Sequence, residues 1–214
     1  MMQHYVLELL SLMAIFSFAI ISPGADLAMV IRQSLVHGRR AAIITSFGIG
    51  ASLMIHVTYT ILGLGLVISK SILLFNIIKW CGVAYLVYIG VQALRAGEAS
   101  VDPAGSAETD VEKRQSGIKA FGLGFMANAL NPKAVFFFLS IFSAVVSHET
   151  PGLVKLGYGF VMAGCLIAWF VGVSFFMTTP RMRAAFSRAS KWINRTSGLV
   201  FIAFGLKLAA AKAS

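Results

Sequence analysis

Apolar residues run along this chain in six blocks, separated by shorter polar connections. The blocks cover about Tyr5 to Ile31, Ala41 to Ile68, Ile72 to Leu94, Ala120 to Val146, Gly152 to Met177 and Trp192 to Ala210. A bilayer crossing needs roughly 20 apolar residues in a helix, so the pattern predicts an all-α integral membrane protein with six transmembrane helices. The first block starts with amphipathic character around Glu8. The second holds Gly48-x-Gly50, His56 and Gly63-x-Gly65, and small residues at such spacing let helix backbones approach closely in lipid. Lys70 marks a short turn. The third has Asn76 and Lys79-Trp80 near its start, where an amine can snorkel and an indole can sit at headgroup level.

Two blocks carry an interruption at matching places. In the first it reads Ser22-Pro23-Gly24-Ala25-Asp26, and in the fourth Asn128-Ala129-Leu130-Asn131-Pro132-Lys133. Broken backbone and an ionised side chain are both costly in hydrocarbon unless they face protein or a wet cavity. The two halves, 1–94 and 120–214, each hold three blocks. Gly82-Val83-Ala84-Tyr85-Leu86 also echoes Gly198-Leu199-Val200-Phe201-Ile202. An odd number of crossings per half predicts an inverted repeat within a single transmembrane domain, with broken helices 1 and 4. Interrupted spans in corresponding positions point to the binding site of a transporter.

The only long polar stretch, 95–119, contains Glu98, Asp102, Glu108, Asp110 and Glu112 among Gly, Ser, Ala and Pro. It has too little apolar surface to fold and reads as a mobile linker between the halves. A basic loop with Arg181, Arg183, Arg188 and Lys191 is expected before the sixth block.

Composition fits this reading. The chain is 58% hydrophobic and 12% charged, about half the charge of a soluble domain, and its mean hydropathy is +0.83. The net charge of +10 reflects orientation and not a nucleic-acid partner. Twelve Lys and Arg lie in the connections after blocks one, three and five, and five lie on the other side. The positive-inside rule then puts the rich side in the cytoplasm and both termini outside. No basic leader or cleavage site precedes Pro23, so the first block reads as a retained span.

Several residues are candidates for chemistry. Asp26 suits a substrate ammonium or a proton, and it also suits the free N–H groups of a helix restarting after Pro23-Gly24. Lys133 suits a carboxylate, or Asp26 itself when no substrate is bound. Asn128 and Asn131 can orient a ligand or satisfy backbone freed by Pro132. His56 is a second proton-coupling candidate beside Asp26, although a lone buried histidine is more often a packing residue. Asn76 and Trp169 are weaker candidates. Cys81 and Cys165 form no C-x-x-C pair or zinc spacing and read as buried small hydrophobes. No nucleotide-binding motif is present, and nothing calls for a metal, a cofactor or a catalytic residue.

With these residues in hand, the chain resembles the LysE/RhtB family of bacterial amino-acid exporters. Ser22-Pro23-Gly24-Ala25-Asp26 with Arg32-Gln33-Ser34 and Gly38-Arg39-Arg40-Ala41 carries the likeness. So do Gly124-Phe125-Met126-Ala127-Asn128-Ala129-Leu130-Asn131-Pro132-Lys133-Ala134 and Tyr85-Leu86-x-Tyr88-x-Gly90. Ala25 departs from the family's frequent P-G-P, which implies a gentler break. The resemblance implies a six-span inner-membrane exporter of amino acids or related metabolites, driven by the proton gradient and compatible with a homodimer. The partners are then the substrate, protons and the lipid bilayer. Two other classes stay open from the residues alone: a membrane redox protein using Cys81 and Cys165, and a non-transporting membrane subunit.

Overall fold

The computed structural model describes residues 2–70, 72–97, 115–176 and 179–210. The linker acids, Lys113, Arg114 and Lys212 lie outside the described residues, as do the side chains of Lys70, Lys79 and Arg183. Among the described residues the chain forms eight helices and no strand: α1 (Met2–Ile21), α2 (Ala25–Val36), α3 (Arg39–Lys70), α4 (Ile72–Arg95), α5 (Gly117–Ala129), α6 (Pro132–Val145), α7 (Gly152–Phe176) and α8 (Pro180–Ala210). Three of these, α1, α3 and α7, are long and apolar enough to cross a membrane, and the bent pair α5–α6 makes a fourth.

Both predicted interruptions are present, and each has a local cause. Pro23 has no N–H, and its ring would clash with the carbonyl four residues back. Helix α1 therefore stops at Ile21, with Ser22 N–H making the last bond to Phe18 O at 3.1 Å. Helix α2 restarts with Ala28 N–H on Gly24 O at 3.0 Å. In the second half, Pro132 occupies the first turn of α6, where its missing N–H is harmless and its fixed φ is already helical. Asn131 caps the same helix, its side chain accepting from Lys133 N–H at 3.0 Å. The chain turns by 59° between α5 and α6. Gly38, with φ of 83°, makes the sharp turn from α2 into α3 that a residue with a Cβ rarely adopts.

Helix α3 is the spine of the bundle. It packs along α5 and α7 and meets α2, while α4 packs along α8 and α6. Helix α1 touches α6, α7 and α8, and α2 touches α5 and α7. The segments on either side of the two breaks thus pack crosswise, α1 on α6 and α2 on α5. Close approach depends on glycine at particular crossings. A methyl on Gly48 would overlap Phe121 O, and one on Gly124 would overlap Thr45 O. Thr45 Oγ1 also donates to Ala120 O at 3.0 Å across this seam. Gly90 and Gly198 form a second such crossing between α4 and α8. Buried Phe16, Phe137, Phe138, Phe142 and Phe201 fill the centre, and large apolar side chains such as Ile55, Leu62, Phe160 and Leu199 face outward. Apolar residues inside and out are the pattern of a helix bundle in lipid.

Three expectations need correction. The basic segment before the sixth block is helical, because α8 begins at Pro180. Its Ala, Arg, Lys and Met are good helix formers, and the charged residues Arg181, Arg188 and Lys191 sit exposed. The ends of the linker are helical too, with Arg95 closing α4 and Lys119 in the first turn of α5. Ser116 caps α5 by accepting from Lys119 N–H at 3.3 Å. Cys81 and Cys165 are exposed free thiols on α4 and α7, not buried ones. A weakly polar thiol suits an outward apolar face as well as a core.

Glu8 is more than an amphipathic start. It is buried, and its Oε1 accepts from Ser147 N–H at 2.7 Å. Thr150 Oγ1 lies at 3.0 and 2.9 Å from its two oxygens, and Tyr158 O–H donates to Oε2 at 2.9 Å. His4 Nε2 lies 3.2 Å from Oε1. This network ties the start of α1 to the α6–α7 connection.

The glycine seam gives a prediction. A methyl at Gly124 meets backbone, whereas nothing lies near Gly122. Gly124→Ala is expected to lower the midpoint of thermal unfolding in detergent, by the equivalent of about 1–3 kcal/mol of overpacking. Gly122→Ala is expected to leave it unchanged or raise it slightly. Thermal denaturation followed by size-exclusion chromatography checks both.

Candidate functional site

The two breaks face one another. Asp26 stands in the first turn of α2, where helix N–H groups favour a carboxylate. Gly24 caps that helix in extended conformation with no side-chain cap bond, so the carboxyl of Asp26 is turned toward the other break. There, Asn128 Nδ2 donates to Asp26 Oδ2 at 2.8 Å. Asn128 is held in turn by its backbone, whose carbonyl accepts from Asn131 N–H at 3.0 Å. The same carbonyl lies 3.1 Å from His56 Nε2. The other nitrogen, His56 Nδ1, lies 2.7 Å from Tyr59 O–H, and the imidazole stacks on Phe138. Helices α2, α3 and α5 are thereby joined through one asparagine.

Lys133 follows Pro132 on the first turn of α6. Its carbonyl accepts from Tyr85 O–H on α4 at 3.1 Å. Its ammonium lies close to Gly24, where a Cβ would sit 3.7 Å from Nζ. Among the described residues Asp26 Oδ1 and Asn128 Oδ1 are buried without partners, and no salt bridge joins Lys133 to Asp26. The expected Asp26–Lys133 pair is therefore not formed, and the amide of Asn128 takes the place of the ammonium beside Asp26.

A small cavity of about 60 Å³ lies between the breaks. Gly24, Asp26, Asn128, Asn131 and Lys133 line it together with Phe16, Phe137, Phe138 and Phe170. Pro23 and Pro132 lie on the far side of Lys133, against a second cavity. His56 does not line either cavity and reaches the first only through Asn128. The site has an unpaired carboxylate oxygen, an ammonium and apolar walls. Sequence reasoning missed Tyr59 and the role of Tyr85. The first stands three residues after His56, one helical turn along α3. The second belongs to the Tyr85-Leu86-x-Tyr88-x-Gly90 run, whose hydroxyl has no stated partner until α4 is placed beside α6.

Comparison with known proteins matches the chain to a family. The family model for LysE type translocators matches residues 17–212, a range that includes both breaks. The chain belongs to that family. It is a membrane translocator and not an enzyme. It is similar to the threonine efflux protein of Escherichia coli (strain K12), 32% identical over 89% of this chain and 91% of that one. Similarity to the threonine efflux protein of Salmonella typhimurium is 33% over the same shares. The homoserine/homoserine lactone efflux protein of Salmonella typhimurium is 30% identical over 90% of this chain and 91% of that one. No solved structure matches the chain.

The two asparagines of this translocator are separable by experiment. Asn131 acts as a helix cap, a role that Ser or Asp can also fill. Asn131→Ala is expected to lose about 1 kcal/mol of stability, with Asn131→Ser restoring most of it. Asn128→Ala is expected to cut transport by at least about tenfold, because a hydrogen bond to a charged group contributes about 1.5–3 kcal/mol. Asn128→Ser, too short to reach Asp26, is not expected to rescue it. Unfolding midpoints and efflux rates, measured on the same preparations, check the distinction.

Proposed function

We propose that the chain is a secondary-active exporter of small zwitterionic amino acids or close metabolites across the bacterial inner membrane, driven by the proton gradient. The observation that carries this reading is that Asp26 and Lys133 line one apolar-walled cavity with no salt bridge between them. An amino acid offers an ammonium and a carboxylate, one for each. The free N–H groups at the start of α2 and α6 add to the attraction for a carboxylate. A second charge on the substrate finds no partner in this lining, which favours neutral amino acids of the kind named for the threonine and homoserine efflux relatives.

The proposed topology has six spans, with α1–α2 and α5–α6 each one broken crossing and α3, α4, α7 and α8 the others. The two halves are inverted repeats, and both termini are outside. Support comes from the cationic asymmetry of the connections and the crosswise packing of the four half-helices. Measured from Glu8, the outer part of α1 runs about 20 Å to its break, and α6 runs about 21 Å, at 1.5 Å per residue. Helices α2 and α5 extend about 18–20 Å the other way, so the breaks fall near the middle of a layer of bilayer thickness. Asp26 is the first proton carrier and His56 the second, linked through Asn128. The outward apolar faces are compatible with a homodimer. The redox alternative gains no support from Cys81 and Cys165, which are unpaired on exposed faces of α4 and α7.

Asp26→Asn is expected to insert and fold normally yet lose efflux by at least about tenfold, the equivalent of 1.5 kcal/mol or more. Exchanging the charges of Asp26 and Lys133 is not expected to restore it. Collapse of the proton gradient at constant ATP is expected to stop efflux of L-threonine or L-homoserine from wild-type cells. Wild-type efflux by a well-folded Asp26→Asn protein would refute the assignment of Asp26, and continued efflux after uncoupling would refute the driving force.

A further inference from the structure

A second cavity adjoins the first and has no part in the chemistry above. It has a volume of about 600 Å³ and lies between α4, α6 and the α1–α2 break. Ser22, Gly24 and Lys133 line both cavities, so the two meet where the ammonium of Lys133 lies against Gly24. From that neck the second cavity follows α4, passing Tyr85, Tyr88, Gln92 and Ala96. Tyr85 is level with the break, since its hydroxyl bonds to Lys133 O. Eleven residues separate it from Ala96, so this wall runs about 16 Å toward the C-terminal end of α4. That distance is about half of a hydrocarbon core.

The lining is mostly apolar, but it carries several polar groups that a lipid-facing groove would not need. Gln92 Nε2 donates to Tyr88 O–H at 2.5 Å, and both side chains are exposed. A carboxamide, two phenols and an ammonium along one groove at membrane depth call for water or ligand against them. At the opposite end, around α1, Phe16, Phe137, Phe138 and Phe142 are buried, and the Glu8 network ties α1 to the α6–α7 connection. Among the described residues the second cavity thus extends toward the α4 C-terminus, away from this packed end.

We propose that the second cavity is a water-filled access vestibule on the cytoplasmic side. In it the carboxylate of a small zwitterionic amino acid meets Lys133 before the substrate passes the Lys133–Gly24 neck to the Asp26 pocket. This rests on the exporter reading for its ligand, whereas the water-filled vestibule and its side of access do not. Gly24 is the width-determining residue of the neck. Its backbone is extended, a conformation any residue adopts, so a side chain there narrows the passage without straining the chain.

The test places one cysteine at Gln92 in a variant with Cys81 and Cys165 replaced by Ala, and labels it with a membrane-impermeant maleimide. Inside-out vesicles and intact right-side-out cells present the two faces. Leu199→Cys, on an outward apolar face of α8, is the lipid-facing control. The expected result is rapid labelling of Gln92→Cys in inside-out vesicles only, slowed severalfold by L-threonine or L-homoserine, with Leu199→Cys unlabelled. Gly24→Val is expected to lower efflux by at least about tenfold, about 1.4 kcal/mol in the barrier, while labelling of Gln92→Cys and its protection persist. Labelling from the outside only, or labelling no faster than that of Leu199→Cys, would overturn the vestibule. Labelling that neither amino acid slows, in a protein that exports them, would overturn the carboxylate subsite. Absence of amino-acid export by the wild type is a separate outcome: it removes the exporter reading, and the labelling in the absence of ligand still decides the vestibule.

Discussion

Broken backbone in a low-dielectric interior has to be satisfied by something other than lipid, and most of this fold follows from that constraint. Pro23 and Pro132 each free carbonyls and N–H groups at membrane depth. The chain answers by bringing the two breaks together, so that polar groups from one half serve the other. Asn128 is the centre of the arrangement. Its amide donates to Asp26 and its carbonyl accepts from Asn131, with the His56 ring beside it. Three helices are joined through one residue, by its side chain and its backbone carbonyl. The close packing of α3 on α5, which needs glycine at positions 48 and 124, is what allows His56 to reach that carbonyl. Packing and polar satisfaction are thus one problem in this structure, and neither would hold without the other.

Among the described residues the same constraint leaves Asp26 with a buried oxygen that has no partner, and Lys133 forms no salt bridge with it. In a structural ion pair the two would have closed on each other. They instead line one cavity with phenylalanine walls, and low-dielectric walls strengthen the field that a charged ligand meets. On the proposed reading a zwitterion completes the site, which is what would distinguish a transport site from a structural one.

Much of this was legible in the chain. The blocks of apolar residues, the two proline breaks and the candidate residues Asp26, Asn128, Asn131 and Lys133 are all visible in order along the sequence, and the structure gathers those four around one cavity. The helical start of α8 was not legible, because a run of Arg, Lys and Ser reads equally well as a loop until Ala and Met supply helix propensity. Nor was the Glu8 network, whose donors come from Ser147, Thr150 and Tyr158, about 140 residues or more away. The Asn128 amide beside Asp26 was not legible for a different reason. Charge pairing is the natural expectation for two opposite charges, but the choice between an amide and an ammonium depends on side-chain direction, which spacing along a chain does not specify.

The central claim is that one cavity recognises both charges of an amino acid. Binding to the purified protein tests it most directly, by titration calorimetry with L-threonine, its methyl ester, which lacks the carboxylate, and its des-amino analogue, which lacks the ammonium. The account predicts binding of L-threonine with at least about tenfold higher affinity than either analogue, since each loses a charge-assisted contact of about 1.5–3 kcal/mol. It further predicts that Lys133→Gln removes the preference over the methyl ester and keeps the preference over the des-amino compound. Equal affinity for all three ligands, or a preference untouched by Lys133→Gln, would contradict it.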